Sequence, residues 1–265
     1  MQRLIQRFCD GAWEESKLDT VTVEEPLEIR VQGRPIAVTM RTPGSDIELV
    51  LGFLYSEGVI DGRDDVHAIA TVDDPSLIMG NTVDVVLAGG VPMARTHKAD
   101  RRLFASSSCG ICGKESIDRI VQSVQSVPYL SLPKAELICQ LPDKLRNGQP
   151  QFEQTGSVHA AGLFSTDGNL IAVREDVGRH NAVDKLLGFA LENAKLPCSE
   201  MILVLSGRAG FELIQKAAMA KISIVVAIGA PSSLAIDLAK ELGMWLIGFT
   251  KSNRFNVYTH GNPDD

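Results

Sequence analysis

The stretch from residue 201 to 259 constrains the fold most. Short, continuous apolar runs, MILVLS, ISIVVAIG and MWLIGF, alternate there with segments apolar at helical spacing, FELIQKAAMA and SSLAIDLAKEL, and FNVYTH closes the series. Continuous apolar strands are buried on both faces, and strands linked through helices of about 10–15 residues make right-handed crossovers. This half of the chain therefore reads as a three-layer α/β/α domain. Just upstream, NAVDKLLGFALENA has the periodicity of a further helix, and TGSVHAAGLFSTDGNLIAVRED reads as a hairpin turning at 166–168.

The first hundred residues follow a different rhythm. TVTVEEPLEIRVQGRPIAVTMRT (20–42) alternates polar and β-branched residues about a Gly33-Arg34-Pro35 turn signal, as a hairpin does. Ser45 and Glu48 have capping-box spacing and open LVLGFLYSEG, an amphipathic helix that Gly58 closes. VHAIATVDD and NTVDVVLAG read as strands. The organisation expected is a small α+β domain over 1–103, a segment 104–116 that holds a C-x-x-C pair, and an α/β domain over 117–265.

With 265 residues, 45% of them apolar, the chain can bury a sizeable core. Its charge, 26 − 33 = −7, argues against binding nucleic acid through phosphate neutralisation but leaves room for a local basic pocket. The N-terminus lacks the apolar core of a signal peptide, and no run of about 18 apolar residues exists to span a bilayer. A cytoplasmic protein that enters no membrane is expected. Five cysteines, at 9, 109, 112, 139 and 198, are an odd number and widely spread, so they do not make a secreted disulfide framework.

Three candidate sites follow predicted strands, where open α/β sheets bind ligands and helix N-termini face anions. SGRAG (206–210) combines Ser206, two glycines and Arg208; it suits a phosphate, or is a plain Gly-rich turn. GAPSS (229–233) is similarly placed, or simply supplies an N-cap serine. FTKSNR (249–254) brings Lys251 and Arg254, which could hold a second phosphate or a carbonyl-rich base edge. Together they set two Arg and one Lys along one sheet edge. DVGRHNAVD (176–184) crowds Asp176, Arg179, His180, Asn181 and Asp184 at a helix start. Asp184 lies four residues after His180, so a carboxylate–imidazole pair on one helical face is expected, unless the segment is only a capped start with a satisfied histidine. His159, on a strand, is a core or a site histidine.

Cys109 and Cys112, in SSSCGICGKES, admit three readings. Half a tetrahedral zinc site needs two more ligands, and no second C-x-x-C or H-x-x-x-H exists. A thioredoxin-like pair would follow the first strand of a βαβ unit, not sit mid-chain. The third is a glycine-flanked loop presenting a nucleophilic thiolate, with Lys114, Arg101 and Arg102 favouring ionisation. Cys9, Cys139 and Cys198 read as ordinary packing residues.

As a set, SSSCGICGKES, TGSVHAAG, REDVGRHNAVDKLLG, LSGRAGFELIQKAAM, APSSLAIDLAKELG and GFTKSNRFNVYTH resemble, in order and spacing, the FdhD family of formate dehydrogenase accessory sulfurtransferases. The resemblance implies a cytidine deaminase-like α/β domain without the deaminase zinc signature and without a metal. It implies that a cysteine desulfurase loads a persulfide on Cys109, with Cys112 as a relay or resolving thiol. The sulfur would pass to the molybdenum of bis-molybdopterin guanine dinucleotide, destined for formate dehydrogenase. Phe249, Thr250, Lys251, Ser252, Asn253 and Arg254 match the family's segment for the guanine nucleotide moiety of that cofactor. The loop argument adds Ser206, Arg208, Arg179 and His180. A homodimer is also implied. The rival readings are a chaperone that only holds the cofactor, with a structural C-x-x-C, and a thiol-disulfide oxidoreductase.

Overall fold

The computed structural model describes residues 1–72, 81–92, 95, 124 and 127–261. Strands β1 (Gln2–Ile5) and β4 (Lys17–Thr20) pair antiparallel, with β2 (Phe8–Cys9) and β3 (Ala12–Trp13) between them, so the N-terminus is a folded-back arm. Phe8 and Trp13 pack edge to face across β2 and β3. Sequence patterning passed this arm over because its strands are two to four residues long and its large apolar side chains, Leu4, Phe8, Trp13 and Leu18, are exposed.

The expected hairpin is present as β5 (Glu25–Val31) and β6 (Arg34–Arg41). Its turn is Gln32-Gly33, one residue ahead of the anticipated signal, and both residues take positive φ (51° and 77°). That is the twist a two-residue connection needs, and glycine supplies it without strain. Strand β5 starts at Glu25, so residues 21–24 lie outside the ladder they were expected to join. Helix α1 (Asp46–Ser56) follows, then β7 (Val66–Val72) and β8 (Thr82–Leu87), giving a sheet in the order β6-β5-β8-β7. The capping box does not form. Ser45 is left-handed (φ 56°) with no side-chain cap, and Glu48 instead grips the Arg174 guanidinium with both oxygens. A bidentate charged pair is stronger than the neutral cap it displaces.

The rest of the chain comprises α2 (Ala135–Asn147), α3 (Pro150–Thr155), β9 (His159–Ser165), β10 (Leu170–Asp176), α4 (Arg179–Glu192), β11 (Met201–Leu205), α5 (Phe211–Met219), β12 (Ile224–Ala227), α6 (Ser233–Glu241), β13 (Trp245–Lys251) and β14 (Arg254–Thr259). The six strands lie in the order β10-β9-β11-β12-β13-β14, with β11, β12 and β13 parallel and an antiparallel hairpin at each edge. Alternate residues of β11 and β12 enter different cores. Ile202, Val204, Ile224 and Val226 pack with Ile138, Leu141 and Leu145 of α2, whereas Leu203, Leu205, Val225 and Ala227 share a cluster with α4, α5 and α6. The sheet is thus covered on both faces, the three-layer α/β/α arrangement its continuous apolar strands require.

The same cluster continues into α1 and the smaller sheet. Helices α1 and α4 cross at Gly52 and Gly188. A Cβ on Gly52 would overlap the Asp184 carbonyl, and one on Gly188 the Glu48 carbonyl, so only glycine permits this approach. Beside the crossing, Lys216 of α5 is buried, with its Nζ 2.8 and 3.0 Å from the two Asp184 oxygens and 2.8 Å from the Ser56 hydroxyl. Burial pushes the Asp184 carboxyl up and Lys216 and Ser56 pull it down. Burial likewise opposes the Lys216 charge, but the Asp184 and Glu57 carboxylates outweigh it and hold the ammonium above its usual range. Both carboxylate oxygens face the ammonium, and we assign the pair as ionised. No helix among the described residues is long and apolar enough to cross a membrane.

Candidate anion-binding site at the strand carboxyl ends

The parallel strands β11, β12 and β13 end side by side, and their following loops are stitched together by backbone hydrogen bonds. Gly229 N donates to Gly207 O (2.9 Å), Phe249 N to Gly229 O (3.0 Å), and Ala209 N to Ala230 O (3.1 Å). The fit is close, since a Cβ on Gly229 would lie 2.8 Å from Gly207 O. Ser232 caps α6, its hydroxyl accepting from Ala235 N at 3.3 Å, which accounts for the first serine in GAPSS.

Ser206 anchors its loop to β9. Its Oγ accepts from Ala160 N (2.8 Å), and its own N donates to Ala160 O (3.0 Å). That register sets His159 against Gly207, where a Cβ would come 3.1 Å from His159 Nδ1. His159 is held below the ordinary histidine range, first by burial and then by the positive surroundings of Arg179, His180 and Arg208, with Asp176 acting in the opposite sense. Four basic side chains from β9, α4 and the loop after β11 thus share one field. Arg208 is exposed, and neither it nor Arg179 has an acidic partner at ion-pair distance among the described residues. A Cβ at Gly210 would meet nothing.

The segment 176–184 is put to two uses. Asp176, fully buried, accepts from Gly178 N, Thr42 N and Asn181 Nδ2 and lies 2.8 Å from Lys185 Nζ. It ties the start of α4 to the loop after β6. The expected His180–Asp184 pair does not form, because Asp184 turns to the buried Lys216 at the α1 crossing. His180 instead sets Nε2 2.9 Å from Glu212 Oε2, within ion-pair distance but off the axis of a hydrogen bond. The His180 contact, ahead of opposing burial, holds the Glu212 carboxyl below the usual range, and Arg179 and Lys216 add to it. Glu212, Lys216 and Ser56 escaped the sequence reading. The one available signal was an acid in the first turn of a helix directly after SGRAG.

FTKSNR is not a loop beyond a finished strand. Strand β13 runs on to Lys251, pairs there with Arg254, and turns at Ser252-Asn253. Phe249 (φ 51°) sits in the register shift that lets it, and it is exposed, as are Lys251, Ser252, Asn253 and Arg254. Thr250 is buried, and its Oγ1 has no partner among the described residues. Cys109 and Cys112 lie outside the described residues, as do Arg101, Arg102 and Lys114. Of the other cysteines, Cys198 is buried, with burial pushing its thiol up to about 12, whereas Cys9 is exposed.

This arrangement defines an α/β protein with basic side chains gathered at the edge where three parallel strands end. The FdhD/NarQ family model matches residues 22–263, and the chain belongs to that family. The sulfur carrier protein FdhD of Streptomyces coelicolor is 49% identical over 97% of this chain and 93% of its own length. That of Mycobacterium tuberculosis is 45% identical over 92% and 91%. A crystal structure described as a formate dehydrogenase accessory protein from Desulfotalea psychrophila superposes with a TM-score of 0.75 at 26% identity, covering 98% of this chain and 96% of that one.

Proposed function

We propose that this chain is a sulfur carrier for formate dehydrogenase, and that it seats the nucleotide end of a bis-molybdopterin guanine dinucleotide substrate at the edge just described. Cys109 accepts sulfur from a cysteine desulfurase. Its thiolate attacks the outer sulfur of the donor's persulfide; the new S–S bond forms as the donor's own S–S bond breaks, and the donor cysteine leaves as a thiolate. This loading step involves no net oxidation. Cys112 then acts on the loaded Cys109: its thiolate attacks the inner sulfur, the outer sulfur leaves at the sulfide level for the molybdenum of the substrate, and the Cys109–Cys112 disulfide that forms, having supplied the two electrons, is reopened by a cellular thiol. The protein acts in the cytoplasm as a homodimer, the assembly the family resemblance implies.

The observation that carries the nucleotide part is the shared positive field of Arg179, His180, His159 and Arg208 in a chain of net charge −7. Two guanidiniums with no acid at ion-pair distance among the described residues and a Ser206 hydroxyl with a proton to donate fit phosphate oxygens. Guanosine diphosphate tests this by calorimetry. Arg179→Ala and Arg208→Ala should each weaken binding about tenfold and flatten its salt dependence, in line with charge-assisted hydrogen bonds. Equal binding by both variants would place the nucleotide elsewhere.

A further inference from the structure

Glu212 lies at the rim of the basic cluster without belonging to it. It occupies the first turn of α5, and its carboxylate is the one acid at ion-pair distance from His180 among the described residues. Asp176, the other acid near the cluster, is committed to Lys185 and to the Thr42, Gly178 and Asn181 donors. Glu212 also feels the buried Lys216 ammonium, so the α1–α4–α5 charge network and the histidine both act on it.

The two nitrogens of His180 have different surroundings. Nε2 is sealed from solvent against Glu212 and has no aligned hydrogen-bond partner. The side chain as a whole is 34% exposed, and Nδ1 is neither among the sealed atoms nor bonded to a described group. The groups that act on the ring are Glu212 from α5, in direct contact, and His159 from β9, which itself feels Arg179 of the same helix as His180, Arg208 from the loop after β11 and Asp176 from β10. A carboxylate behind one imidazole nitrogen fixes the proton there and orients the ring, which leaves the other nitrogen for a ligand. Such contacts are often poorly aligned until the ligand arrives.

We propose that Glu212 is a positioning residue that keeps Nε2 of His180 turned inward and protonated, so that the unprotonated Nδ1 accepts from a hydroxyl or N–H donor of the nucleotide whose phosphates Arg179 and Arg208 draw in. The proposal rests on the nucleotide-seat reading above and assigns that seat its first supporting carboxylate.

The test is guanosine diphosphate calorimetry on the full chain with Glu212→Ala, Glu212→Gln, His180→Ala and the Glu212→Ala/His180→Ala double variant, together with ¹⁵N-imidazole NMR of His180. Glu212→Ala should weaken binding about tenfold, as expected for a lost charged contact, and Glu212→Gln, which keeps an acceptor, less. In the His180→Ala background Glu212→Ala should add nothing. The neutral His180 ring should show one tautomer, Nε2–H, in the wild type and a mixture in Glu212→Ala, a change that loss of packing alone does not produce. Equal weakening in both backgrounds, or an unchanged tautomer, overturns the proposal. Wild type that fails to bind the nucleotide removes the seat and the proposal with it, whereas binding that Glu212→Ala leaves intact removes only the proposal.

Discussion

Replacing Lys216 with Met should be one of the most costly single changes in the molecule. Methionine keeps the alkyl stem near Phe53, whose ring centre lies 5.8 Å from Nζ, so packing changes little. The ammonium that serves both oxygens of Asp184 is lost, leaving a buried carboxylate with only the Ser56 hydroxyl among the described residues. Breaking a buried pair from one side costs about 3–5 kcal/mol. For a chain of this size that corresponds to a fall in Tm of about 6–20 °C. The double variant Lys216→Met/Asp184→Leu should recover most of the loss, because the fully buried Asp184 charge is removed together with its partner. The pH dependence supplies a second signature. In Lys216→Met the Asp184 carboxyl is neutral more readily in the folded chain than in the unfolded one. A raised folded pKa gives stability that is present at low pH and lost as pH rises through it, so the variant should gain stability as pH falls from 8 toward 5. Urea denaturation at several pH values measures this. A single variant within about 1 kcal/mol of wild type, or a double variant no better than the single, would refute the ionised network.

Other perturbations have equally definite outcomes. Gly188→Ala should force α1 away from α4 and destabilise by more than the usual 1–3 kcal/mol of overpacking, since its Cβ would strike the Glu48 backbone rather than a yielding side chain; thermal unfolding checks it. Because His159 titrates lower in the folded chain than in the unfolded one, it contributes stability that is present above about pH 6.5 and is lost as pH falls through its depressed folded value; His159→Asn should remove that component from the stability–pH curve. Thr250→Val should stabilise the chain by about 1 kcal/mol in denaturant titrations, as it removes a buried hydroxyl without a partner among the described residues.

The larger sheet could be read from its apolar runs because β11, β12 and β13 are buried on both faces, which leaves no polar alternation to mislead. The two-residue turn at Gln32-Gly33 fell one position from its signal, since Pro35 can sit at a strand start as well as in a turn. Ser45 and Glu48 illustrate a local rule overridden from afar: Arg174, 126 residues from Glu48, claims the carboxylate a capping box would use. The same cause separated His180 from Asp184. Helical spacing put them on one face, but only the tertiary fold brings Lys216 to one and Glu212 to the other. The convergence of Ser206, Arg208 and Phe249 followed from strand order, a property of parallel crossovers, whereas the approach of His159 depends on β9 pairing with β11 and had no local signal.

Sulfur carriage itself is tested most directly by intact-mass spectrometry after incubation with a cysteine desulfurase and cysteine. Wild type should gain the mass of one sulfur, Cys112→Ala should still gain it, and Cys109→Ala should not. A wild type that gains no sulfur, or a Cys109→Ala protein that gains it undiminished, would contradict the account.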